Sequence, residues 1–386
     1  MSTTPTATAG QQLDTSGEYD VIIVGAGAAG VGMGIVLRDL GIDKFAILER
    51  HQIGESFERW PREMRFITPS FPGNAFGQLY LNAIALNTSP AYTLQREHPS
   101  GAEYAAYLRV ITQHFTLPIH TGIDVHALEP RREDECFVLH TSAGQLRGKY
   151  VIWAAGEFQY PRTYPFPGAE RCRHNAEVAA WAEITGDEIV VIGGFESGID
   201  AAYHLAMAGK RVRVLDDAAS WEEDGSDPSI ALTPYTRERL DLALATGRVE
   251  LIGGARVVEV INNDAGYLIR DLDGDEWQTP NPPILATGFS GSLTLISDLF
   301  DWTAEGQVIV SEDDQSTRVP GLFVVGPTLR HDNAIFCYIY KFRQRFAVVG
   351  RAIGTQLGID LSPLEAYADA NMLLDDLSCC DESCAC

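Results

Sequence analysis

Four cysteines stand within the last eight residues of the chain, where their spacing could support redox or metal chemistry. The stretch CCDESCAC holds Cys379, Cys380, Cys384 and Cys386. Thiolates bind soft ions such as Zn, Cu(I), Hg(II) and trivalent arsenic, and two thiols can also cycle between dithiol and disulfide. The acidic residues around these thiols raise their pKa values but attract a cation. Three interpretations stay open: metal or metalloid capture, dithiol redox chemistry, and a tail that only docks a partner or has no function.

The other three cysteines lie far apart in the sequence. They are Cys136, Cys172 and Cys337. Enzymes that pass electrons through a local dithiol hold the two thiols a few residues apart, so that one can attack and the other resolve. No internal dithiol of that spacing is therefore expected. Cys337 is predicted to be a buried, inert thiol.

A glycine-rich turn near the N-terminus has the pattern of a dinucleotide site. Gly25, Gly27 and Gly30 follow an apolar, strand-like run and open a helix-compatible segment, after which a second apolar strand ends in Glu49. In such a turn the first glycine allows the tight bend, the second lets the backbone approach a pyrophosphate, and the third brings helix and strand together. The pyrophosphate lies on the helix N-terminus, and the acid can accept hydrogen bonds from an adenosine ribose.

The same arrangement recurs in the middle of the chain. Gly193, Gly194 and Gly198 follow a second apolar run, and Asp216 ends the next strand. Phe195 holds the middle glycine position, so a pyrophosphate must lie farther from the backbone or be displaced there. The acid suits a ribose 2′-hydroxyl, and no Arg or Lys follows directly to hold a 2′-phosphate. NADH is therefore expected in preference to NADPH.

Composition excludes several kinds of partner. Acidic residues outnumber basic ones 53 to 29 in 386 residues, a net charge of −24 that repels nucleic acid. The apolar runs are strand-sized, so no membrane span is expected. The polar start lacks the features of a secretion signal, which predicts a cytoplasmic location in which thiols stay mostly reduced.

Three further motifs support a family resemblance. They are YVIWAAGEFQYPRTYPFPG (150–168), PPILATGFSGS (282–292) and VPGLFVVGPTLRHDNAIFCYIYKFRQRFAVV (319–349). With two glycine-rich units 168 residues apart (25 to 193), the chain resembles flavoproteins with two dinucleotide-binding domains. The resemblance covers about residues 19–355. It implies FAD in the first unit, a nicotinamide nucleotide in the second, and homodimerisation as a family expectation.

The resemblance also implies the fold and the residues that hold the cofactors. The expected fold is α/β, with two three-layer, Rossmann-like domains and the NAD(P)H domain inserted in the FAD domain. The predicted division is a disordered leader (1–18), an FAD-binding domain in two parts (19–162 and 282–370), an NAD(P)H-binding domain (163–281) and a cysteine-rich tail (371–386). The FAD residues implied are Gly25, Gly27, Gly30, Glu49, Gly156, Gly326 and Ala334, and the NAD residues are Gly193, Gly194, Gly198 and Asp216.

Two departures from the family pattern affect the site. Many relatives place an Asp after the glycine of the closing strand to bind the ribityl chain, whereas here Pro327 follows Gly326, so that contact is missing or supplied elsewhere. The final motif is expected to form one helix that starts at Asn333 and Ala334, near the flavin. His174 lies in a segment similar to a Baeyer–Villiger motif but differently spaced, and is predicted to be an interdomain or surface histidine.

Three functions remain open on these grounds. The tail pair in LSCC resembles the vicinal cysteines of mercuric reductases, which favours an NAD(P)H-dependent flavin reductase acting on a disulfide or soft metal(loid) through the tail. The aromatic segment ESFERWPREMRFITPSFPGNAF (55–76) resembles both single-chain flavin oxygenases and the thioredoxin-reductase-like proteins associated with metal resistance, and the main competing function is a monooxygenase of a small molecule. Phe195 favours a redox-sensing flavoprotein whose second nucleotide site is inactive.

Overall fold

The computed structural model describes residues 13–71, 80–131, 133, 135–332 and 334–377. Most of the predicted leader and all four tail cysteines, Cys379, Cys380, Cys384 and Cys386, lie outside the described residues.

The described residues form strands and helices in alternation. The strands are β1 (Glu18–Val24), β2 (Phe45–Glu49), β3 (Ile119–Thr121), β4 (Val125–Arg131), β5 (Cys136–Thr141), β6 (Gly144–Trp153), β7 (Arg173–His174), β8 (Glu188–Ile192), β9 (Arg211–Asp216), β10 (Val249–Gly253), β11 (Val257–Asn263), β12 (Gly266–Asp271), β13 (Glu276–Thr279), β14 (Ile284–Leu285), β15 (Asp301–Trp302), β16 (Val308–Ile309), β17 (Leu322–Val324), β18 (Arg330–His331) and β19 (Ala334–Ile335). The helices are α1 (Ala28–Asp39), α2 (Glu55–Glu58), α3 (Pro90–Leu94), α4 (Gly101–His114), α5 (Glu196–Met207), α6 (Pro234–Ala245), α7 (Ile339–Phe342), α8 (Phe346–Leu357) and α9 (Glu365–Asp369).

The first sheet has the strand order β3-β2-β1-β6-β5-β4, and β17 also pairs with β6. Strands β3, β2, β1, β6 and β17 run parallel, whereas β4 and β5 are antiparallel additions. Val21–Val24 of β1 is buried along its whole length, as expected for a central parallel strand covered on both faces. Helices α1, α4 and α8 pack on one face, and the 3-10 helix Ser292–Leu299 packs on the other, in one cluster with side chains of β4 and β5.

The second sheet is parallel throughout, in the order β10-β9-β8-β14-β7. Helices α5 and α6 pack on one side of it, and the antiparallel sheet β11-β12-β13 packs on the other. Both units are therefore three-layered, and the α/β class predicted from the sequence is confirmed. In each unit a helix directly follows a glycine-rich turn at the carboxyl end of a parallel strand, which is the edge where such sheets bind ligands.

The closing segment differs from its prediction. Ala334 lies in a two-residue strand rather than at a helix start, because β18 and β19 form a hairpin with Arg330 opposite Ile335. The turn places Asp332 at a φ of 45°, a left-handed conformation typical of hairpin loops. The helix begins at Ile339 and continues through a 3-10 turn (Arg343–Arg345) into α8. The predicted start at Asn333 and Ala334 was therefore wrong, and Asn333 lies outside the described residues.

None of the described helices combines the length and the apolar character that crossing a membrane requires.

Candidate active site

The first glycine-rich turn is shaped by close backbone contacts. Gly25 has a φ of 105°, and a Cβ there would lie 2.5 Å from the carbonyl oxygen of Ala154. A Cβ on Gly30 would lie 1.9 Å from the carbonyl oxygen of Gly25, so α1 starts directly against the turn. Apart from its chain neighbours, no described residue has an atom within 4 Å of a Cβ placed on Gly27. The turn is thus packed on one side and open at Gly27.

Glu49 connects the end of β2 to this turn. Its Oε2 accepts a hydrogen bond of 2.9 Å from the amide of Ala26, and its Oε1 accepts one of 2.8 Å from the amide of His51. Parallel pairing of Val24 with Leu48 brings the two strand ends together. The buried carboxylate therefore lies beside the glycine-rich turn, where an adenosine ribose would be bound.

A cavity of about 370 Å³ lies at the carboxyl edge of the first sheet. Four residues predicted to hold FAD line it: Gly25, Gly27, Glu49 and Gly156. The second unit contributes Phe195, Glu196, Ser197 and Asp200. One cavity is therefore lined by both glycine-rich units.

The other predicted site residues do not line this cavity. Gly30 packs inside the turn. Gly326 has a φ of 108°, and a Cβ placed on it would lie 3.3 Å from the Cβ of Ala29. Ala334 stands in β19, in the hairpin that precedes α7. The remaining four, Gly193, Gly194, Gly198 and Asp216, form the second turn, which lies beyond the cavity lining.

One wall of the cavity is aromatic. The rings of Phe57 and Phe66 stack with centroids 5.6 Å apart, and Trp60 lies 4.9 Å from Phe66. Phe158 and Phe289, 5.4 Å apart, also line it. Large aromatic surfaces at these distances exclude water and pack well against a planar ligand. The aromatic segment singled out in the sequence thus contributes to the wall, with residues 72–76 lying outside the described part.

Glu157 is a cavity residue that the sequence did not reveal. It follows Gly156 at the end of β6, and among the described residues nothing donates a hydrogen bond to its carboxylate. Burial raises the pKa of this carboxyl, with the charge of Arg330 opposing the shift. Trp153 pairs with Val324 in the parallel strands β6 and β17. Glu157 and Thr328 each follow four residues later, so the two residues leave the sheet side by side.

A second contact supports this placement of Glu157. A Cβ on Gly291 would lie 3.1 Å from Thr328 Cγ2 and 3.9 Å from Glu157 Cβ. Glu157 therefore lies close to Thr328 and to the preceding residue, Pro327, which also lines the cavity. Pairing between distant strands, which no local sequence pattern encodes, creates this juxtaposition.

Cys337 lies at the cavity edge, against the second unit. Its thiol donates a hydrogen bond of 3.1 Å to the hydroxyl of Ser229, and the hydroxyl of Tyr338 donates one of 2.8 Å to the carbonyl of Pro228. Lys341 Nζ binds Asp227 Oδ1 at 2.6 Å. Burial raises the pKa of Cys337, so the thiol is protonated near neutral pH. None of Cys136, Cys172 and Cys337 forms a disulfide with another described cysteine.

The second glycine-rich turn repeats the geometry of the first. Gly193 has a φ of 104°, and a Cβ on Gly198 would lie 1.9 Å from its carbonyl oxygen. Asp216 Oδ2 accepts a hydrogen bond of 2.7 Å from the amide of Gly194. Phe195 is the last residue before α5 and faces the cavity.

His174 is buried rather than on the surface. Its Nδ1 accepts a hydrogen bond of 3.2 Å from the amide of Ala176, and its Nε2 lies 3.0 Å from the carbonyl oxygen of Gly288. Burial lowers the pKa of this imidazole, so the neutral ring donates through Nε2. His174 thus ties β7 to the segment that follows β14.

Comparison with known proteins gives consistent matches. A model of the pyridine nucleotide-disulphide oxidoreductase family matches residues 22–326. The chain is 22% identical to the bacilliredoxin reductase Bdr of Bacillus subtilis over 325 residues, which cover 83% of this chain and 93% of the relative.

Two solved structures show the same fold. The bacillithiol disulfide reductase Bdr from Bacillus cereus has a TM-score of 0.70 at 22% identity, covering 88% of this chain and 100% of its own. A flavin-containing monooxygenase from Stenotrophomonas maltophilia has a TM-score of 0.67 at 20% identity, covering 88% and 99%. At these identities the likeness establishes the fold, which both reductases and monooxygenases use.

Proposed function

The chain belongs to the pyridine nucleotide-disulphide oxidoreductase family, and from this premise we propose that it passes electrons from NAD(P)H through FAD to a disulfide or a soft metal(loid). The observation that carries the proposal is the shared cavity, lined by the first turn at Gly27 and by the start of α5 at Phe195 and Glu196. A flavin held by the first unit and a nicotinamide held by the second would face each other there.

The residues of the first unit fit FAD, the cofactor expected of this family. Gly27 leaves open the space that a pyrophosphate needs, and Glu49 lies where an adenosine ribose would be held. When bound, FAD supplies the two-electron chemistry, while the protein supplies orientation and electrostatics. In this proposal Glu157 would help to hold the ribityl chain, the role that an Asp after the strand glycine has in many relatives and that Pro327 cannot fill.

NADH is the preferred donor in this proposal. Asp216 provides the acid for a ribose 2′-hydroxyl, and residues 217–224 contain no Arg or Lys. Arg256 approaches this segment, but its Nε lies 3.9 Å from Asp217 Oδ2, where it forms an ion pair. The 2′-phosphate of NADPH would be repelled by the excess of negative charge on residues 216–224.

The proposed electron acceptor is argued from the positions of the cysteines. The described cysteines are isolated, and no group of His, Cys, Asp or Glu among the described residues is placed to hold a metal ion. Thiol chemistry at the flavin would therefore come from Cys379, Cys380, Cys384 and Cys386. The relative named a bacillithiol disulfide reductase supports a low-molecular-weight disulfide, which one hydride equivalent and one proton convert to two thiols.

The test compares acceptors and the tail in one set of assays. The FAD-loaded protein is reduced anaerobically with NADH and NADPH, then mixed with bacillithiol disulfide, a mercuric salt or oxygen. The same assays are run on a chain ending at Leu377 and on a chain whose four tail cysteines are replaced by serine. Reduction of the disulfide or metal that is lost in both variants supports the proposal. Rapid oxygen consumption with hydroxylation, unaffected by the tail, would favour a monooxygenase, and a flavin that neither nucleotide reduces would overturn the proposed function.

A further inference from the structure

Residues 217–233, which we call the strap, connect β9 to α6 and fold over the second glycine-rich turn. The indole of Trp221 lies directly against Gly194, since its Cζ3 is 2.4 Å from the position of a Cβ on that glycine. Its Cζ2 lies 3.7 Å from the Cβ position of Gly253, the last residue of β10. Trp221 also packs against the buried cluster of Ile199, Leu232 and Leu240. The ring thus extends from the end of β8 to the end of β10.

This position is the one that a dinucleotide needs. In a doubly wound sheet the nucleotide lies across the carboxyl ends of the strands, with the ribose at the acid that ends the second strand. That acid, Asp216, is already bound within the protein. Its Oδ2 accepts from the amide of Gly194, and its Oδ1 accepts from the amide and hydroxyl of Ser220 at 3.1 and 3.2 Å. The bond from Gly194 repeats the one from Ala26 to Glu49 in the first turn, so the strap's own contribution is the pair of contacts from Ser220 to Oδ1.

Glu196 places a negative charge at the start of α5. It is the first residue of this 12-residue helix, where a pyrophosphate would otherwise be attracted. Its carboxylate accepts hydrogen bonds from the amide of Thr233 at 2.6 Å and from the hydroxyl of Thr236 at 2.5 Å. Glu196 thereby fastens the end of the strap to the turn that a dinucleotide would use.

Arg237 holds the part of the strap that carries Trp221, whereas residues 227–229 are held by Cys337, Tyr338 and Lys341. Arg237 donates to the carbonyl oxygens of Trp221 and Leu232 at 3.3 Å each, and also to that of Glu223. Asp217, Glu222, Glu223, Asp224 and Asp227 make the strap acidic. The strap is therefore an ordered, negatively charged cover with its own hydrogen bonds.

We propose that Trp221 and Glu196 occupy the adenosine and pyrophosphate positions of the second unit in the resting protein, so that a dinucleotide binds only by displacing the strap. This inference rests on the proposed function and deepens it by assigning the residues that select the hydride donor. The strap opposes the adenylate half of NAD(P)H, whereas the nicotinamide half lies toward the cavity lined by Phe195 and Ser197. Reduced nicotinamide mononucleotide, which lacks the adenylate, is expected to reduce the flavin nearly as well as NADH.

Binding of ADP-ribose to the FAD-loaded protein tests the proposal by calorimetry, without electron transfer. Trp221→Ala removes the indole from its place against Gly194, and Arg237→Gln keeps the indole but removes the hydrogen bonds that hold residues 221–223 over the turn. Each is expected to lower the Kd for ADP-ribose about tenfold, equivalent to about 1.4 kcal/mol. Arg248→Gln is the matched control, because Arg248 also binds a backbone carbonyl, that of Gly209, but away from the strap.

The outcomes separate this proposal from the proposed function. An unchanged or raised Kd for ADP-ribose in Arg237→Gln would overturn it, and this variant decides the matter even if Trp221→Ala folds poorly. A raised Kd in a folded Trp221→Ala would instead make Trp221 a stacking surface for adenine, which also overturns it. A flavin that no nicotinamide reduces would defeat the proposed function, whatever the ADP-ribose titration shows.

Discussion

The thiol of Cys337 donates a hydrogen bond of 3.1 Å to the hydroxyl of Ser229, which joins the segment before α7 to the strap of the second unit. Lys341 Nζ donates to the same hydroxyl at 2.9 Å. The contact lies at the edge of the shared cavity, so a cysteine near the flavin position is engaged in holding the two units together.

Replacing Cys337 by alanine is expected to preserve flavin reduction and acceptor turnover within about twofold, because a thiol that burial keeps protonated is a poor nucleophile. The measurement is anaerobic reduction by NADH followed by turnover with bacillithiol disulfide. Ser229→Ala is the matched control, since it removes the same hydrogen bond and leaves the thiol. Normal flavin reduction with disulfide turnover abolished only in Cys337→Ala would identify Cys337 as a redox thiol and contradict this prediction.

Gly27→Ala is expected to weaken FAD binding about tenfold or more, because the new methyl group would enter the open space where the pyrophosphate is expected. The apo-protein should unfold at the parental temperature, since the described residues beyond the chain neighbours leave that methyl position open to at least 4 Å. Gly30→Ala provides the contrast, because its methyl would meet the carbonyl of Gly25 at 1.9 Å and destabilise the fold itself. FAD titration of the apo-proteins with thermal unfolding distinguishes the two, and unchanged FAD affinity in Gly27→Ala would count against the site.

Glu157→Ala is expected to weaken FAD binding about tenfold, because hydrogen bonds to a charged acceptor contribute about 1.5–3 kcal/mol. The measurements are the FAD dissociation constant and the visible spectrum of the bound flavin. Glu183→Ala is the control, since that side chain is exposed and its ion pair within the described part of the chain is with exposed Arg62. Adding Pro327→Asp to Glu157→Ala should restore part of the affinity, and wild-type FAD affinity in Glu157→Ala would remove the role assigned to Glu157.

Asp200→Asn is expected to destabilise the fold by about 3 kcal/mol, because it leaves buried Arg239 without its ion-pair partner. The Arg239 guanidinium lies between the rings of Tyr203 and Tyr235, 4.6 and 4.9 Å from their centroids. Denaturation in urea at pH 7 measures the loss. Asp241→Asn, on the exposed side of the same helix as Arg239, should change little.

The same variant has a predicted pH dependence. Burial alone would raise the pKa of Asp200, but hydrogen bonds and charges from His204 and Arg239 outweigh it and hold the pKa below the usual 3.8. A lowered pKa in the folded state adds stability above pH 3.8 that is lost as the pH falls further. The difference in the free energy of unfolding between the parent and Asp200→Asn should therefore decrease below that pH. A difference that increases would show that the folded state does not stabilise the Asp200 carboxylate.

Local patterns in the sequence were sufficient for the class of fold and for the position of both turns. Only glycine suits Gly25 and Gly193, which take positive φ values, and only glycine suits Gly30 and Gly198, whose Cβ atoms would collide with a carbonyl. These requirements are encoded within a few residues, so they can be read without a structure. The continuous apolar strands that precede them follow from burial on both faces of a parallel sheet.

Contacts between distant segments were not predictable in the same way. Glu157 lies close to Pro327 because β6 pairs with β17, and Trp221 covers Gly194 because the strap folds back over the turn. The hairpin at Ala334 carried a local signal, the Asp–Asn pair at 332–333, but the resemblance to a closing helix outweighed it. The helix start was predicted wrongly because the family resemblance was given more weight than the turn-forming preference of Asp and Asn.

The C-terminal end of the described chain is fixed to the body of the protein. The amide of Leu374 donates to the carbonyl of Gln344 at 3.0 Å, Arg351 pairs with Asp375 at 2.6 Å, and Leu377 packs on the core. A chain that ends at Leu377 keeps these contacts, so activity lost in that variant would be assigned to the residues removed and not to damage in the body of the protein.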